Sequence, residues 1–348
     1  MVIIPHSRPW LDEHDSQAVQ EVLHSGQLAQ GSKVREFETR MAQLIGVPDA
    51  VAVHSGSAAL HLALLALGVG EGDHVILPSY VCSALLNAVN AVRAVPIVVD
   101  IDRETFNISS KAVADKICEK TKAIIVPHLF GMPADLEALR RFNLPLIEDC
   151  AQALGSTYQN RPVGSWGTLA VFSFYATKVI TTGEGGMVLS QSRELLDKIR
   201  DLRAYDNRTE YRMRFNYKMT DLQAALGISQ LSKLPRIIQR RRTIARRYFR
   251  EFAQLPVRCP ADLLDRTHIF YRFVVKVRGR LANILKESAS QGVQCQRPVF
   301  RPLHRYLNLQ GFPATDAVYQ KALSVPIYPA LREEEIDKII ACVRETIG

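Results

Sequence analysis

The chain has 348 residues, 47% hydrophobic and 23% charged, with 44 Lys and Arg against 35 Asp and Glu for a formal charge of +9. That length exceeds what one small core serves and predicts a large domain with a smaller one. The composition is that of an ordinary globular chain rather than a disordered one, and the positive balance is compatible with an anionic partner without identifying it.

No apolar run is long enough to span a bilayer. The N-terminal MVIIPHSRPWLDEHD turns acidic almost at once and lacks the basic start and long apolar stretch of a secretion signal. A cytoplasmic protein with no membrane partner is therefore expected. The first stretch reads as two helices, with Val34, Phe37, Met41 and Leu44 recurring at helical spacing over 32–45.

From residue 50 short apolar runs alternate with helical patterns. The runs are AVAVH (50–54), HVILP (74–78), PIVVD (96–100), AIIVP (123–127), LPLIED (144–149) and LAVFSF (169–174). Val- and Ile-rich runs of this length, bounded by Pro, Asp or Gly, predict strands buried on both faces of a mostly parallel α/β sheet. Ligands bind beyond the carboxyl ends of such strands. His54, Ser79, Asp100, His128 and Asp149, which close the runs, are the first places to look for a site.

After about residue 190 the pattern is helical. DLQAALGISQLSKL (221–234) is amphipathic, Pro235 marks a break, and RIIQRRRTIARRYFREF (236–252) follows as a basic helix. Beyond Pro260 a small α+β domain is expected. HIFYRFVVKV (268–277) reads as a strand, LANILKESASQG as a helix closed by Gly292, and LREEEIDKIIACVRETI as a terminal helix. The domains fall at 1–235, with an N-terminal helical arm, and 236–348.

Six cysteines show no CxxC spacing and read as buried, reduced thiols. The histidines show no HExxH pairing, so no metal site is expected. The basic helix lacks any nucleic-acid reading motif and a continuous bulky apolar face. It reads as a connecting helix with a solvated basic side.

The densest chemical signal lies at 147–187. Glu148 and Asp149 end an apolar strand, which sets at least one carboxylate at the sheet's carboxyl edge. A carboxylate there is costly to desolvate unless it meets a cation or donor, and a protonated pyridine nitrogen supplies both. Lys178 follows the strand LAVFSFY beside the Gly-rich turn GEGG. A lysine in an apolar neighbourhood loses proton affinity and can serve as nucleophile and base. Ser173, between two Phe, needs a polar partner, and a phosphate oxygen is a good one. In HSGSAALHLALLALGVGEGD (54–73) a strand ends and a small-residue turn opens a helix. The N–H groups of Gly56, Ser57 and Ala58 at that helix start form an anion site.

These pieces together resemble the DegT/DnrJ/EryC1/StrS family of sugar aminotransferases. The resemblance runs through SGSAALHLAL, GDHVILPSY, PHLFGMPADLEAL, IEDCAQALGS, VGSWGTLAVFSFYATKVITTGEGGM, RFNYKMTDLQAALGISQL and LSVPIYPALREEEID in the family's order. It implies the fold-type-I (aspartate aminotransferase-like) architecture of pyridoxal 5′-phosphate (PLP) enzymes: an α/β three-layer sandwich with a mostly parallel central sheet plus a smaller C-terminal α+β domain.

The resemblance also implies roles. Lys178 would bind PLP covalently and shuttle the substrate proton, and Asp149 would partner the pyridine nitrogen. Gln152 would lie beside the ring and its phenolic oxygen, while Ser57, Ala58 and Ser173 would hold the phosphate. Asn216, in FNYKM, would reach the phosphate from the other subunit, implying a homodimer with shared active sites. The family's ring-stacking aromatic position falls at Cys82 here, so either Tyr80 stacks on the ring or stacking is weaker. Arg214 replaces a frequent glycine and adds a cation near an anionic substrate. His304, in RPLHRYLN, aligns with a substrate-side region, although a plain loop histidine fits as well. Tyr328, in PIYPAL, is a further substrate-side candidate that packing also explains.

The activity implied is transfer of an amino group from L-glutamate to a nucleotide-linked keto-sugar, feeding lipopolysaccharide O-antigen or antibiotic amino sugars. Lysine-bearing relatives that make aromatic amino acids by amination or dehydration are the alternative. A regulatory DNA-binding relative is another, though the Lys–Asp–Ser set speaks for catalysis and for no nucleic-acid partner.

Overall fold

The computed structural model describes residues 3–348. Two helices, α1 (Glu13–Ser25) and α2 (Ser32–Ile45), precede the sheet. In α2, Val34, Phe37, Met41 and Ile45 are buried, whereas Leu44 is 40% exposed, so the apolar stripe closes on Ile45. Gly31 offers no side chain to cap α2. Asp221, from far along the chain, accepts from the Gly31, Val34 and Lys33 amides at 2.7, 3.0 and 3.3 Å. A carboxylate at that helix start answers both its free N–H groups and its dipole.

The Val/Ile-rich runs form β1 (Asp49–Val53), β2 (His74–Pro78), β3 (Val95–Val99), β4 (Thr121–Pro127) and β5 (Leu146–Asp149). A small hairpin of β6 (Thr157–Tyr158) and β7 (Arg161–Pro162) follows, then β8 (Leu169–Ser173) and β9 (Gly186–Ser190). The central sheet has the order β1-β9-β8-β5-β4-β2-β3. Pairing is parallel from β8 to β3, and β9 runs antiparallel to both its neighbours. Successive residues face opposite sides: Val51 and Val53 enter one core, Ala50 and Ala52 the other.

Helices cover both faces. α3 (Gly56–Ala66) and α4 (Ala84–Ala91) pack on the first face, followed in the chain by the short α5 (Ser110–Ala114) and α6 (Leu136–Arg140). Leu136 and Leu139 of α6 pack on the second face, beside Ile76, Ile124 and Val126. α7 (Arg193–Arg203) returns to the first face, and α8 (Asp221–Ser232) joins α2 on the second. The three-layer architecture follows from these two cores.

α9 (Leu234–Phe252) carries Pro235 in its first turn, where a missing N–H costs nothing. Its Ile237 packs in the large core, and its Ile244, Tyr248 and Phe252 in a separate C-terminal core. The rest of the chain supplies β10 (Val257–Arg258), β11 (Arg266–Thr267), β12 (Phe273–Val277), α10 (Leu281–Ser290), α11 (Leu303–Tyr306), α12 (Pro313–Lys321), β13 (Ala322–Val325) and α13 (Glu333–Ile347). β10, β12 and β13 form the smaller body's sheet with α10 and α13, whereas β11 pairs with β6, and Leu303 of α11 and Val318 of α12 pack into the first-face core. Ile4 crosses into that core and its N–H donates to Gly292 O at 2.8 Å, so the N-terminal arm packs with the C-terminal body.

Three expectations are corrected. The strand foreseen over 268–277 begins only at Phe273, because Phe270 takes φ +53° and breaks the extended backbone. The basic side of α9 is not simply solvated: Arg240 and Arg247 pair with Glu333 at 2.8 and 2.9 Å, Arg247 also meets Asp337, and Arg241 is buried. Cys82 and Cys118 are exposed, unlike the other four cysteines. No helix among the described residues is long and apolar enough to cross a membrane.

Candidate active site

The polar residues that close the parallel strands share one sheet edge but not one task. Asp100 accepts from the Ala314 and Thr315 amides, both at 2.8 Å, and holds the start of α12. Ser79 Oγ bonds His304 Nδ1 at 2.7 Å, and His54 packs edge-on against Tyr217. Of the five, Asp149 and His128 line a cleft of about 270 Å³, and Asp149 presents a free carboxylate oxygen there. Cys82, Gln152, Phe300, Arg301 and Tyr306 share its walls.

Neighbouring carboxylates on β5 have opposite fates because side chains alternate along a strand. Glu148 points away from the cleft and is fully buried. Its Oε1 accepts from the amides of Trp166 (2.7 Å) and Gly167 (2.6 Å), and its Oε2 from Gly164 N (2.8 Å) and His128 Nε2 (3.0 Å). Because His128 Nδ1 accepts from Ala134 N at 3.0 Å, its Nε2 carries the proton. The His128–Glu148–Cys150 cluster therefore has its oxygen and nitrogen lone pairs already engaged.

Burial pushes the Glu148 carboxyl up, but His128 and the backbone donors outweigh it and hold it below the usual range. A folded-state pKa below the unfolded one stabilises the fold fully above the ordinary carboxylate pKa. That contribution is lost as pH falls through the depressed value. Glu148→Gln sets an NH₂ against N–H donors. It is expected to cost about 3 kcal/mol in urea unfolding and to weaken the neighbouring Asp149 site. An unchanged unfolding midpoint would contradict the network's role.

Asp149 Oδ1 accepts from Ala151 N at 3.0 Å. Among the described residues no group donates to its second oxygen. Burial pushes its carboxyl up, opposed by Ala151 N–H and by the charges of Lys178 and His128. A buried carboxylate with one open oxygen is a place for a cationic donor. Lys178 follows β8 and is partly exposed, with its Nζ 5.6 Å from the centroid of the Tyr271 ring. Gln152 Oε1 accepts from Phe130 N at 2.8 Å, which leaves its amide N–H groups for the cleft.

The start of α3 lies against the end of β8. A Cβ on Gly56 would stand 2.8 Å from Ser173 Cβ, and one on Gly186 would stand 2.3 Å from Ser55 O. Only glycines allow this approach, which sets Ser173 Oγ beside the first N–H groups of α3. Those of Gly56 and Ser57 have no partner within the helix, whereas Ala58 N donates to the capping Ser55 Oγ at 3.1 Å. Gly56, Ser57 and Ser173 thus offer donors open to an anion at this helix start, where the Ala58 amide already meets the capping Ser55.

Five other candidates lie elsewhere. Tyr80 is fully buried and stacks on Phe106 at 5.9 Å, so Cys82 rather than Tyr80 walls the cleft. The Arg214 side chain is 4% exposed and bound to Asp201 at 3.0 Å, so it is not free for an anionic substrate. His304 is buried, stacked on Phe312 at 4.7 Å, and it braces Ser79 rather than lining the cleft. Tyr328 is fully buried in the C-terminal core, beneath Arg8. Asn216 is exposed, and in this single chain it does not line the cleft.

Sequence reasoning missed Phe300, Arg301 and Tyr306. Arg301 lies 5.2 Å over the Tyr306 ring, and Phe300 is 84% exposed at the cleft mouth. Their signal was an aromatic–arginine cluster, VFRPLHRY, in a loop that no helical or strand period claimed.

The open carboxylate, the nearby amine, the ring-sized cleft and the open donors at the helix start fit a phosphorylated pyridine aldehyde. Comparison with known proteins agrees. A model described as the DegT/DnrJ/EryC1/StrS aminotransferase family matches residues 9–344. The chain is 35% identical over 360 residues to the GDP-perosamine synthase of Caulobacter vibrioides, covering 97% of each chain. It is similar to the crystal structure of the aminotransferase TlmJ from Streptoalloteichus hindustanus, with TM-score 0.94 and 32% identity over 99% of this chain and 98% of that one. It is similar also to the putative sugar aminotransferase Spr1654 from Streptococcus pneumoniae in its PLP form, with TM-score 0.92 and 30% identity over 99% and 100% of the two chains.

Proposed function

The chain belongs to the DegT/DnrJ/EryC1/StrS aminotransferase family, and on that premise we propose that it moves an amino group from L-glutamate to the keto group of a nucleotide-linked sugar in amino-sugar biosynthesis. The observation that carries this reading is Asp149, a buried carboxylate with one open oxygen that feels the charge of Lys178. PLP, bound there, supplies an electron sink for the charge left when a proton leaves the donor carbon, and it carries the amino group between the two substrates.

The chain's residues do the rest. Lys178 anchors the cofactor and, once released, takes the proton from the donor carbon and gives it back on the cofactor side. Asp149 keeps a proton on the pyridine nitrogen. Gln152, pinned through Phe130 N, turns its amide toward the ring's phenolic oxygen. Gly56, Ser57 and Ser173 hold the phosphate at the helix start. Asn216 is assigned to the phosphate of a second copy, making a homodimer with shared sites; its exposure on the 204–218 loop supports this.

Arg301 and Phe300 at the cleft mouth suit a substrate with a diphosphate and a flat base. The similarity to a GDP-perosamine synthase makes a GDP-linked keto-sugar the first acceptor to try. The test is steady-state kinetics with glutamate and such an acceptor, following 2-oxoglutarate. Parallel double-reciprocal lines are expected. Release of 2-oxoglutarate with simple keto acids only, and with no nucleotide keto-sugar, would overturn the substrate assignment.

A further inference from the structure

Residues 268–272 leave the strand path, and the way they do so is informative. Phe270 sits at φ +53°, a left-handed conformation that costs a bulky residue about 1–3 kcal/mol. Such strain persists only where the surroundings enforce it, and here three sets of contacts do. His268 Nδ1 accepts from Phe270 N at 2.9 Å, and its ring stacks on Phe270 at 4.1 Å. Burial, with Arg242 nearby, drives the His268 imidazole down to about 3, so it stays the neutral acceptor this bond needs. Arg241, buried on α9, donates from Nη1 to the carbonyls of Phe270 (3.2 Å), Tyr271 (3.1 Å) and Ile327 (2.9 Å).

The third set ties the kink to the cofactor side. Ile269 N donates to Gly131 O at 3.2 Å and Arg272 N to Phe130 O at 3.3 Å. Phe130 is itself left-handed, at φ +61°, and its N–H is the one held by Gln152. A Cβ on Gly131 would stand 3.0 Å from Tyr271 N, so the two segments meet backbone to backbone.

The product of this construction is Tyr271, 6% exposed, with Lys178 Nζ over its ring. The guanidinium carbons of Arg272 and Arg241 lie 5.2 and 5.9 Å from the same ring. Burial pushes the phenol up, but Lys178, Arg272, the Thr177 hydroxyl and Arg241 together bring it down to about 8.

We propose that Tyr271 is a positioning residue for Lys178: its ring, which lies beneath the lysine amine, holds that amine in place whenever it is not bonded to the cofactor. Lys178 is the group that receives a proton from the donor carbon and returns it, and Tyr271 limits where its long side chain can go. The inference rests on Lys178 being the cofactor lysine.

The test compares wild type, Tyr271→Phe, Tyr271→Leu and Lys178→Ala by ultraviolet phenolate titration of the PLP-free protein and by single-turnover reaction of the loaded enzyme with glutamate. Phenylalanine keeps the ring beneath the cations, so the fold should hold. Wild type should show one phenol ionising at about 8. That step should vanish in Tyr271→Phe and move up in Lys178→Ala, where the first-ranked cation is gone. Tyr271→Leu, which removes the ring, should lower the single-turnover rate about tenfold with half-saturating glutamate unchanged, whereas Tyr271→Phe should keep most of the rate. A titration step that survives in Tyr271→Phe, one that ignores Lys178→Ala, or an unchanged rate in Tyr271→Leu would each overturn the proposal. Failure of wild type itself to react with glutamate would instead sink the aminotransferase reading on which it rests.

Discussion

Lys178→Ala is expected to slow transamination by about 10⁴-fold or more, because one side chain serves as both anchor and proton carrier. Its charge reaches Asp149, Cys82 and Tyr271 alike, which places it at the junction of sheet edge, cleft wall and C-terminal body. The fold should not notice its loss. Lys178 is partly exposed, and its structural bond is made by the backbone, N–H to Tyr175 O at 2.8 Å. Unfolding should therefore shift by less than about 0.5 kcal/mol. A small primary amine in solution should restore part of the proton transfer. A variant keeping a tenth of the wild-type rate would contradict the assignment.

Asp149→Asn should separate stability from function. Asparagine can keep the Ala151 N–H bond but cannot hold a positive charge on a ring nitrogen. A buried charge-assisted pair lost in this way costs about 3–5 kcal/mol, so the rate should fall by about 10²–10⁴-fold. The PLP-free protein should move the other way. Burial raises the Asp149 carboxyl in the fold, so above the unfolded carboxylate pKa this group costs stability, and removing its charge relieves that cost. Thermal unfolding without PLP should thus be unchanged or higher in Asp149→Asn, while PLP affinity falls. In wild type, PLP affinity should weaken as pH drops through the raised Asp149 value, because the protonated carboxyl no longer attracts a cation. A lower melting point without PLP, together with unaltered PLP affinity, would contradict the role given to Asp149.

Much of the fold was legible because parallel strands buried on both faces leave continuous apolar runs, and β1 to β5 and β8 stand where those runs stand. β9 was hidden, since its GMVLS follows the glycine turn that drew attention as chemistry. Asp149 and Lys178 were legible from strand ends, where backbone geometry alone fixes position. Residues whose fate depends on a distant partner were not. Arg214 is spent on Asp201, His304 on Ser79 and Phe312, and Tyr80 on Phe106, and no local pattern announces any of these. Tyr271 was concealed inside a run that reads as strand, and only the left-handed Phe270 turns it to account.

The most direct test is the visible absorption spectrum of the purified protein with PLP, before and after L-glutamate, beside Lys178→Ala. A yellow lysine-bound band in wild type, lost on adding glutamate and absent from the variant, is the expected result. A protein that stays colourless and takes up no PLP would contradict the assignment of Lys178, Asp149 and the Gly56–Ser57–Ser173 donors as a cofactor site.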